Sequence, residues 1–154
     1  MDLRGDDGRM YVREVIRHPG AVVLLPLIDD DTIVMIRNSR PQVGETLLEL
    51  PAGTRESGEP IIETARRELI EETGYEGQTF DLLHQFYAAP GMSDELMQLF
   101  LATGLTLGEH AREATEQIEN QIVRRDEIPD LLSGGKIRDA KTIIGLYSFL
   151  AMKP

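Results

Sequence analysis

Residues 53–75 read GTRESGEPIIETARRELIEETGY, and their spacing predicts a helix over about 60–72 on which the rest of the chain can be hung. Pro60 is tolerated in a helix's first turn, where its missing N–H has no partner to lose. Ile62, Ala65 and Leu69, flanked by Ile61, recur at helical spacing and make one apolar stripe. Gly74 stands where a left-handed glycine closes a helix. Glu68 and Glu72 are four apart and share a face, with Glu71 beside them. Like charges at that spacing repel, and the helix dipole opposes anions near the C-terminus. Folding gains nothing from this crowding, and a divalent cation would offset it. Mg²⁺ takes hard oxygen ligands and keeps several waters, using one or two carboxylates plus substrate phosphates. Arg67 is spaced to pair with Glu63 and to reach Glu71, while Arg66 reads as a surface residue. The alternative for the same residues is an ordinary solvated acidic helix.

Upstream of this helix, residues 21–28 form a Val- and Leu-rich run that reads as a buried strand. Asp29-Asp30-Asp31 is a turn, and residues 32–37 are the returning strand of a hairpin. Residues 11–16 read as a short strand, and the polar residues 1–9 as frayed. Residues 47–50 make a short strand running into Pro51-Ala52-Gly53. Downstream, residues 80–88, 96–102 and 118–124 read as strands, and 128–133 as a short helix closed by Gly134-Gly135. Residues 139–152 read as a terminal amphipathic helix with Ile143, Ile144, Tyr147 and Leu150 as its core face. The pattern is α/β, with a mixed sheet packed between helices. Residues 1–20 form a short N-terminal extension or strand, and 21–154 a single domain.

Composition narrows the chemistry. The 154 residues include no cysteine, which excludes disulfides, thiolate zinc sites and cysteine nucleophiles. His18, His84 and His110 are scattered without ligand-like spacing. A formal net charge of -11 repels phosphate-rich polymers and attracts metal cations, so nucleic acid is not an expected partner. The longest apolar run is too short to span a bilayer. The first residues are acidic where a signal peptide would be basic and then apolar, so a cytoplasmic protein without membrane attachment is expected.

The whole spacing decides between the two readings of the acidic helix. Gly53 is followed by five residues and Glu59; seven more lead to Arg67-Glu68-Leu69-x-Glu71-Glu72-x-Gly74. This resembles the signature of the Nudix hydrolases, G-x5-E-x7-R-E-U-x-E-E-x-G-U, with U a bulky aliphatic residue. All seven fixed positions match; at roughly one in ten per position, chance gives about 10⁻⁷ per start point. Tyr75, bulky but not aliphatic, is the one departure. The resemblance covers nearly the whole chain and implies a Nudix-type α/β/α sandwich with a mixed β-sheet. It implies hydrolysis of a nucleoside diphosphate linked to another moiety, with Mg²⁺, or Mn²⁺ in its place, as cofactor. Glu68 and Glu72 would be the main metal ligands, with Glu71 assisting and the Ala52 carbonyl adding a further oxygen. Glu59 and Arg67 would hold loop and helix in register, Arg67 thus serving catalysis indirectly.

Outside that signature, Leu48-Glu49-Leu50-Pro51-Ala52-Gly53 and Pro90-Gly91-Met92-Ser93-Asp94-Glu95 resemble the ADP-ribose pyrophosphatase branch. Residues 35–40 occupy the place of that branch's V-R-Q-x-R, which implies Arg37 and Arg40 as substrate-binding residues, Arg40 on the phosphates. A guanidinium suits a diphosphate because it binds bidentately. Arg40 also reads as a plain surface charge after a strand, and Pro90-Gly91 as a common turn. With the functional reading, Pro90 and Glu95 line the substrate, Glu95 near the terminal ribose or a metal. A general base would come from residues 109–119, with Glu116 the first candidate and Glu113 the second. That branch usually carries a longer N-terminal region that exchanges strands between subunits; a homodimer is implied nonetheless. Pyrophosphohydrolysis of nucleoside triphosphates or dinucleoside polyphosphates shares the signature and is one alternative; a non-catalytic nucleotide-sensing domain is another, although such domains usually lose the signature's glutamates and none is lost here.

Overall fold

The computed structural model describes residues 1–108 and 118–153. The chain opens with a hairpin of β1 (Asp2–Arg4) and β2 (Met10–Val12). It continues with β3 (Ala21–Asp29), β4 (Thr32–Arg40), β5 (Glu45–Glu49), β6 (Ala52–Thr54), α1 (Ile61–Thr73), β7 (Tyr75–Glu76), β8 (Thr79–Tyr87), β9 (Leu96–Thr103) and β10 (Thr106–Leu107). After β11 (Ile118–Arg124), a 3₁₀ turn (Arg125–Glu127) leads to α2 (Ile128–Ser133) and α3 (Ala140–Ala151).

Seven strands make one mixed sheet in the order β11-β4-β3-β9-β8, with β5 on β4 and β6 on β3. Only β3 and β9 run parallel; the other pairs in this sheet are antiparallel. A strand buried on both faces carries an unbroken apolar run rather than an alternation. That is why Val22, Val23, Leu24 and Leu25 in β3, and Ile33, Val34, Met35 and Ile36 in β4, are all fully buried. One face packs Val22, Leu24, Phe100 and Ala102 against Ala65 and Leu69 of α1. The other packs Val23, Leu25, Met35 and Leu99 against α3 and α2. The expected sandwich with a mixed sheet is therefore present.

The pairing of β3 with β4 decides where the cleft lies. These strands pair only near their turn, at Leu27↔Ile33 and Asp29↔Thr32, with a bulge between. Beyond it they part: β4 takes β5 along Ile36–Arg40, and β3 takes β6 along Ala21–Val23. The gap between the diverging ends is the one that α1 overlooks.

Some expectations need correction. Residues 1–9 are not frayed: Asp2–Arg4 is a strand, tied by Arg13 N–H to the Met1 carbonyl and by the Tyr11 hydroxyl to Asp7. The strand expected at 11–16 is shorter and shifted to Met10–Val12, and Ile16 makes a lone bridge to Ser93. On α3 the fully buried residues are Thr142, Gly145, Leu146 and Phe149; the expected Ile143, Ile144 and Leu150 pack against the same core while partly buried, and Tyr147 is exposed. Apolar residues surround most of this helix, so periodicity alone misplaces Tyr147 and passes over the two small residues. The deciding contacts are polar and close-packed. Thr142 Oγ1 accepts the Leu50 N–H at 2.9 Å, and Gly145 lets the helix approach Leu50. At its far end α3 is fastened by Arg125. The guanidinium donates to the carbonyls of Phe149 and Met152, reaches Asp30 and Asp31 in the β3–β4 turn, and lies 3.8 Å from the Phe149 ring centroid.

Candidate active site

α1 ends as its sequence predicts, with Gly74 left-handed at φ 77° and its N–H donating to Ile70. Its buried face includes Glu68 and Glu72 beside Ala65 and Leu69. Carboxylates in such a place need partners. Glu72 accepts the Ala52 N–H of β6 at 2.7 Å, and Glu68 accepts from Arg67 Nη1 at 2.7 Å. Opposite them Gly53 leaves the space that the Glu68 carboxylate fills: a Cβ there would lie 1.8 Å from the Glu68 Cδ, and the carboxylate would have to move. The two carboxylates, Glu71 and the backbone of Ala52–Thr54 line a cavity of about 650 Å³, closed on the other side by residues 38–42. The donor set is hard oxygen throughout, which suits Mg²⁺ or Mn²⁺. Among the described residues no three acidic or histidine side chains form a ready metal cage by themselves. Two carboxylates completed by backbone and substrate oxygens are the usual arrangement for Mg²⁺.

Arg67 relieves the crowding of negative charge. Its Nε donates to Glu59 Oε1 at 3.0 Å, its Nη1 to Glu68 and to Glu71 Oε2 at 2.9 Å, and its Nη2 to Glu59 Oε2 and the Thr54 carbonyl. The expected Arg67–Glu63 pair is absent; Glu63 pairs with Arg66 instead. Arg67 turns back towards the loop before the helix because three carboxylates converge there, against one on the solvent side. Glu59 also accepts from Thr64 Oγ1 and the Glu56 N–H, so it closes the loop onto the first turn. These contacts, the Arg67 bonds foremost, hold the Glu59 carboxyl down to a pKa of about 2 and raise that of Arg67.

A second cavity, about 360 Å³, adjoins the first and shares Arg40, Ala52, Gly53 and Thr54 with it. Its far wall is the start of α3, Asp139–Lys141 with Ile144, together with Phe86, Glu95 and Met97. Arg40 thus borders both cavities, and Glu95 the second. Arg37 and Pro90 are not brought to either: both are exposed and outside the lining. Successive strand residues face opposite sides, so the three-residue spacing separates Arg37 from Arg40. Pro90 sits on the outer turn, where the Ala89 carbonyl accepts from Met92 and Ser93. Glu113 and Glu116 lie outside the described residues.

Sequence reading missed Glu49, Lys141 and Asp139. Glu49 is 1% exposed and accepts from Arg40 Nε at 2.9 Å, Arg40 Nη2 at 2.7 Å and Lys141 Nζ at 2.8 Å. Burial alone would raise its pKa, but Arg40 and Lys141 outweigh it and hold the carboxyl below its usual value. A lone charge inside Leu47-Leu48-Glu49-Leu50 was the available signal; its partner Lys141 is too distant in sequence to have been paired by spacing.

Residues 17–144 match the NUDIX domain family. The chain is 36% identical to an ADP-ribose pyrophosphatase of Bacillus subtilis over 99% of this chain and 83% of that protein. It is 32% identical to a GDP-mannose pyrophosphatase of Escherichia coli over 98% of this chain and 84% of that one. The fold is also similar to a solved structure described as an ADP compounds hydrolase. There the TM-score is 0.83 at 25% identity, over 95% of this chain and 80% of the other. No helix among the described residues is long and apolar enough to cross a membrane.

Proposed function

We propose that this chain, which belongs to the NUDIX family, hydrolyses the diphosphate linkage of ADP-ribose or a related nucleoside diphosphate sugar, giving a nucleoside monophosphate and a sugar phosphate. One observation carries the reading: Glu68 and Glu72, one turn apart and buried, lie directly against the β6 backbone and line with it a cavity that Arg40 also borders. Glu68 and Glu72, with Glu71 and the Ala52 carbonyl, are the groups that would hold Mg²⁺, or Mn²⁺ in its place. When bound, the metal supplies charge neutralisation of the diphosphate and a water of lowered pKa.

The chain's own residues do the rest. Arg67 bridges Glu68 and Glu71 by donating to both from one nitrogen, which offsets their repulsion, and its bonds to Glu59 and to the Thr54 carbonyl fix the loop onto the helix. Arg40 presents N–H donors to phosphate oxygens, and Glu95 borders the space for the sugar. Glu116 or Glu113 would accept the proton of the attacking water. The exposed apolar side chains of β1 and β2, among them Met10 and Val12, support a homodimer, and the net charge of -11 supports a small-molecule substrate over a nucleic acid.

The test is product analysis with ADP-ribose and Mg²⁺, comparing the wild type with Glu72→Gln. Release of AMP and ribose phosphate that Glu72→Gln abolishes is expected. Turnover of a nucleoside triphosphate but not ADP-ribose would overturn the substrate assignment, and undiminished turnover by the variant would overturn the metal assignment.

A further inference from the structure

We infer that Glu49 is a positioning residue for the bound diphosphate, acting through Arg40; the inference rests on the reading of Arg40 as the phosphate-binding cation. A carboxylate as buried as Glu49 is costly, and an apolar residue of similar size would serve a core at least as well. Stability therefore gives no reason for a charge at the inner end of β5. What the charge does is visible in its contacts. It grips the guanidinium at Nε and Nη2 together, at 2.9 and 2.7 Å. Of the five guanidinium N–H groups this leaves three, on the group that borders both cavities.

An arginine side chain left to itself explores many rotamers and must lose that freedom when a ligand binds. Here the loss is already taken in the folded protein. The grip is itself fixed: Lys141 Nζ bridges Glu49 and Asp139 at 2.8 and 2.9 Å, and Asp139 caps α3 by accepting the Thr142 N–H. Arg40, Lys141, Glu49 and Asp139 together carry no net charge. Their arrangement therefore contributes the direction of donors rather than a general attraction for anions.

The experiment is a double-mutant cycle of Glu49→Gln and Arg40→Ala in the full-length protein, with two readouts: steady-state kinetics on ADP-ribose with Mg²⁺, and calorimetric affinity for ADP. In Glu49→Gln, KM and the ADP dissociation constant are expected to rise about tenfold with kcat little changed, the effect of disordering one charge-assisted contact. In the Arg40→Ala background the same change should add nothing, because Glu49 acts only through Arg40. A purely structural Glu49 would lower the melting temperature and leave both constants alone. Constants within about twofold of wild type, or effects that simply multiply across the cycle, overturn the inference. Should Glu49→Gln fail to fold, Arg40→Lys carries the test: it keeps the charge but cannot be gripped at two nitrogens. The same rise is expected there, and unchanged constants overturn the inference. A wild type that binds ADP but does not turn over ADP-ribose refutes the proposed activity instead, and the cycle is then read on ADP alone.

Discussion

Replacing Gly53 by alanine adds one methyl group where there is no room for it. The added Cβ would lie 1.8 Å from Glu68 Cδ and 2.0 Å from both carboxylate oxygens. Ordinary contact begins at 3.4 Å, so the carboxyl must retreat by about 1.6 Å. Gly53 does not have a positive φ, so the backbone itself accepts alanine and the effect is confined to this collision. Glu68 cannot yield freely, because Arg67 Nη1 holds it at 2.7 Å and the side chain is 10% exposed. A misplacement of about 1 Å at a reacting centre costs on the order of 10²-fold in rate. Gly53→Ala should therefore lower kcat on ADP-ribose by about 100-fold or more, and require more Mg²⁺ for half-maximal rate. Loss of the Arg67–Glu68 contact would cost about 1–3 kcal/mol in stability, visible in a thermal melt but short of unfolding the protein. A Mg²⁺ titration of initial rates on the folded variant decides the matter. Wild-type kcat at saturating Mg²⁺ would show that the position of the Glu68 carboxyl is not critical, and the assigned site would be wrong.

Other consequences can be checked separately. Arg67→Ala removes the one cation that three carboxylates, Glu59, Glu68 and Glu71, share, and should cost about 3 kcal/mol, or about 6–12 °C in melting temperature; a loss under about 1 kcal/mol contradicts a central role for Arg67. Glu59, held down to a pKa of about 2, contributes stability that is fully present above its ordinary pKa of 4.5 and is lost as pH falls through the folded value. Urea unfolding of wild type and Glu59→Gln should accordingly show a difference that is constant above pH 4.5 and shrinks between pH 4.5 and 2; a constant difference across that window rules out the carboxylate pairing as its source. Gly145→Ala should gain about 1 kcal/mol of helix propensity but lose about 1–3 to overpacking, since its Cβ would lie 2.2 Å from Leu50 Cδ1. A more stable variant would mean that Leu50 can move aside.

The parts of this molecule that sequence makes legible are those written in local spacing. β11 and α2 occur at the residues expected, and α1 differs by a residue at each end, because periodicity and a glycine cap state their limits. The shared face of Glu68 and Glu72 follows from a helix's pitch alone. What spacing does not state is which of several equal partners a side chain takes. Arg67 had Glu63 four residues away and chose Glu59 eight away, because the loop folds back over the helix. Residues made adjacent only by the fold were silent for the same reason: Glu49 meets Lys141 across 92 residues, and Gly53 meets Glu68 across a sheet edge. On α3 the apolar pattern located most of the inner face, but not the threonine with two side-chain hydrogen bonds nor the glycine that the core also accepts. Short β6, β7 and β10 carry too few residues for any alternation to register.

The last helix is bolted at both ends, by Asp139, Lys141 and Glu49 where it begins and by Arg125 where it stops. Contacts at both ends oppose rocking of such a beam, and its first turn is one wall of the smaller cavity. Selection along that wall would operate by shape offered in advance, with little entropy left to surrender on contact. Changing which sugar is accepted would then be a matter of recarving side chains at Ala140 or Ile144, rather than loosening the scaffold behind them.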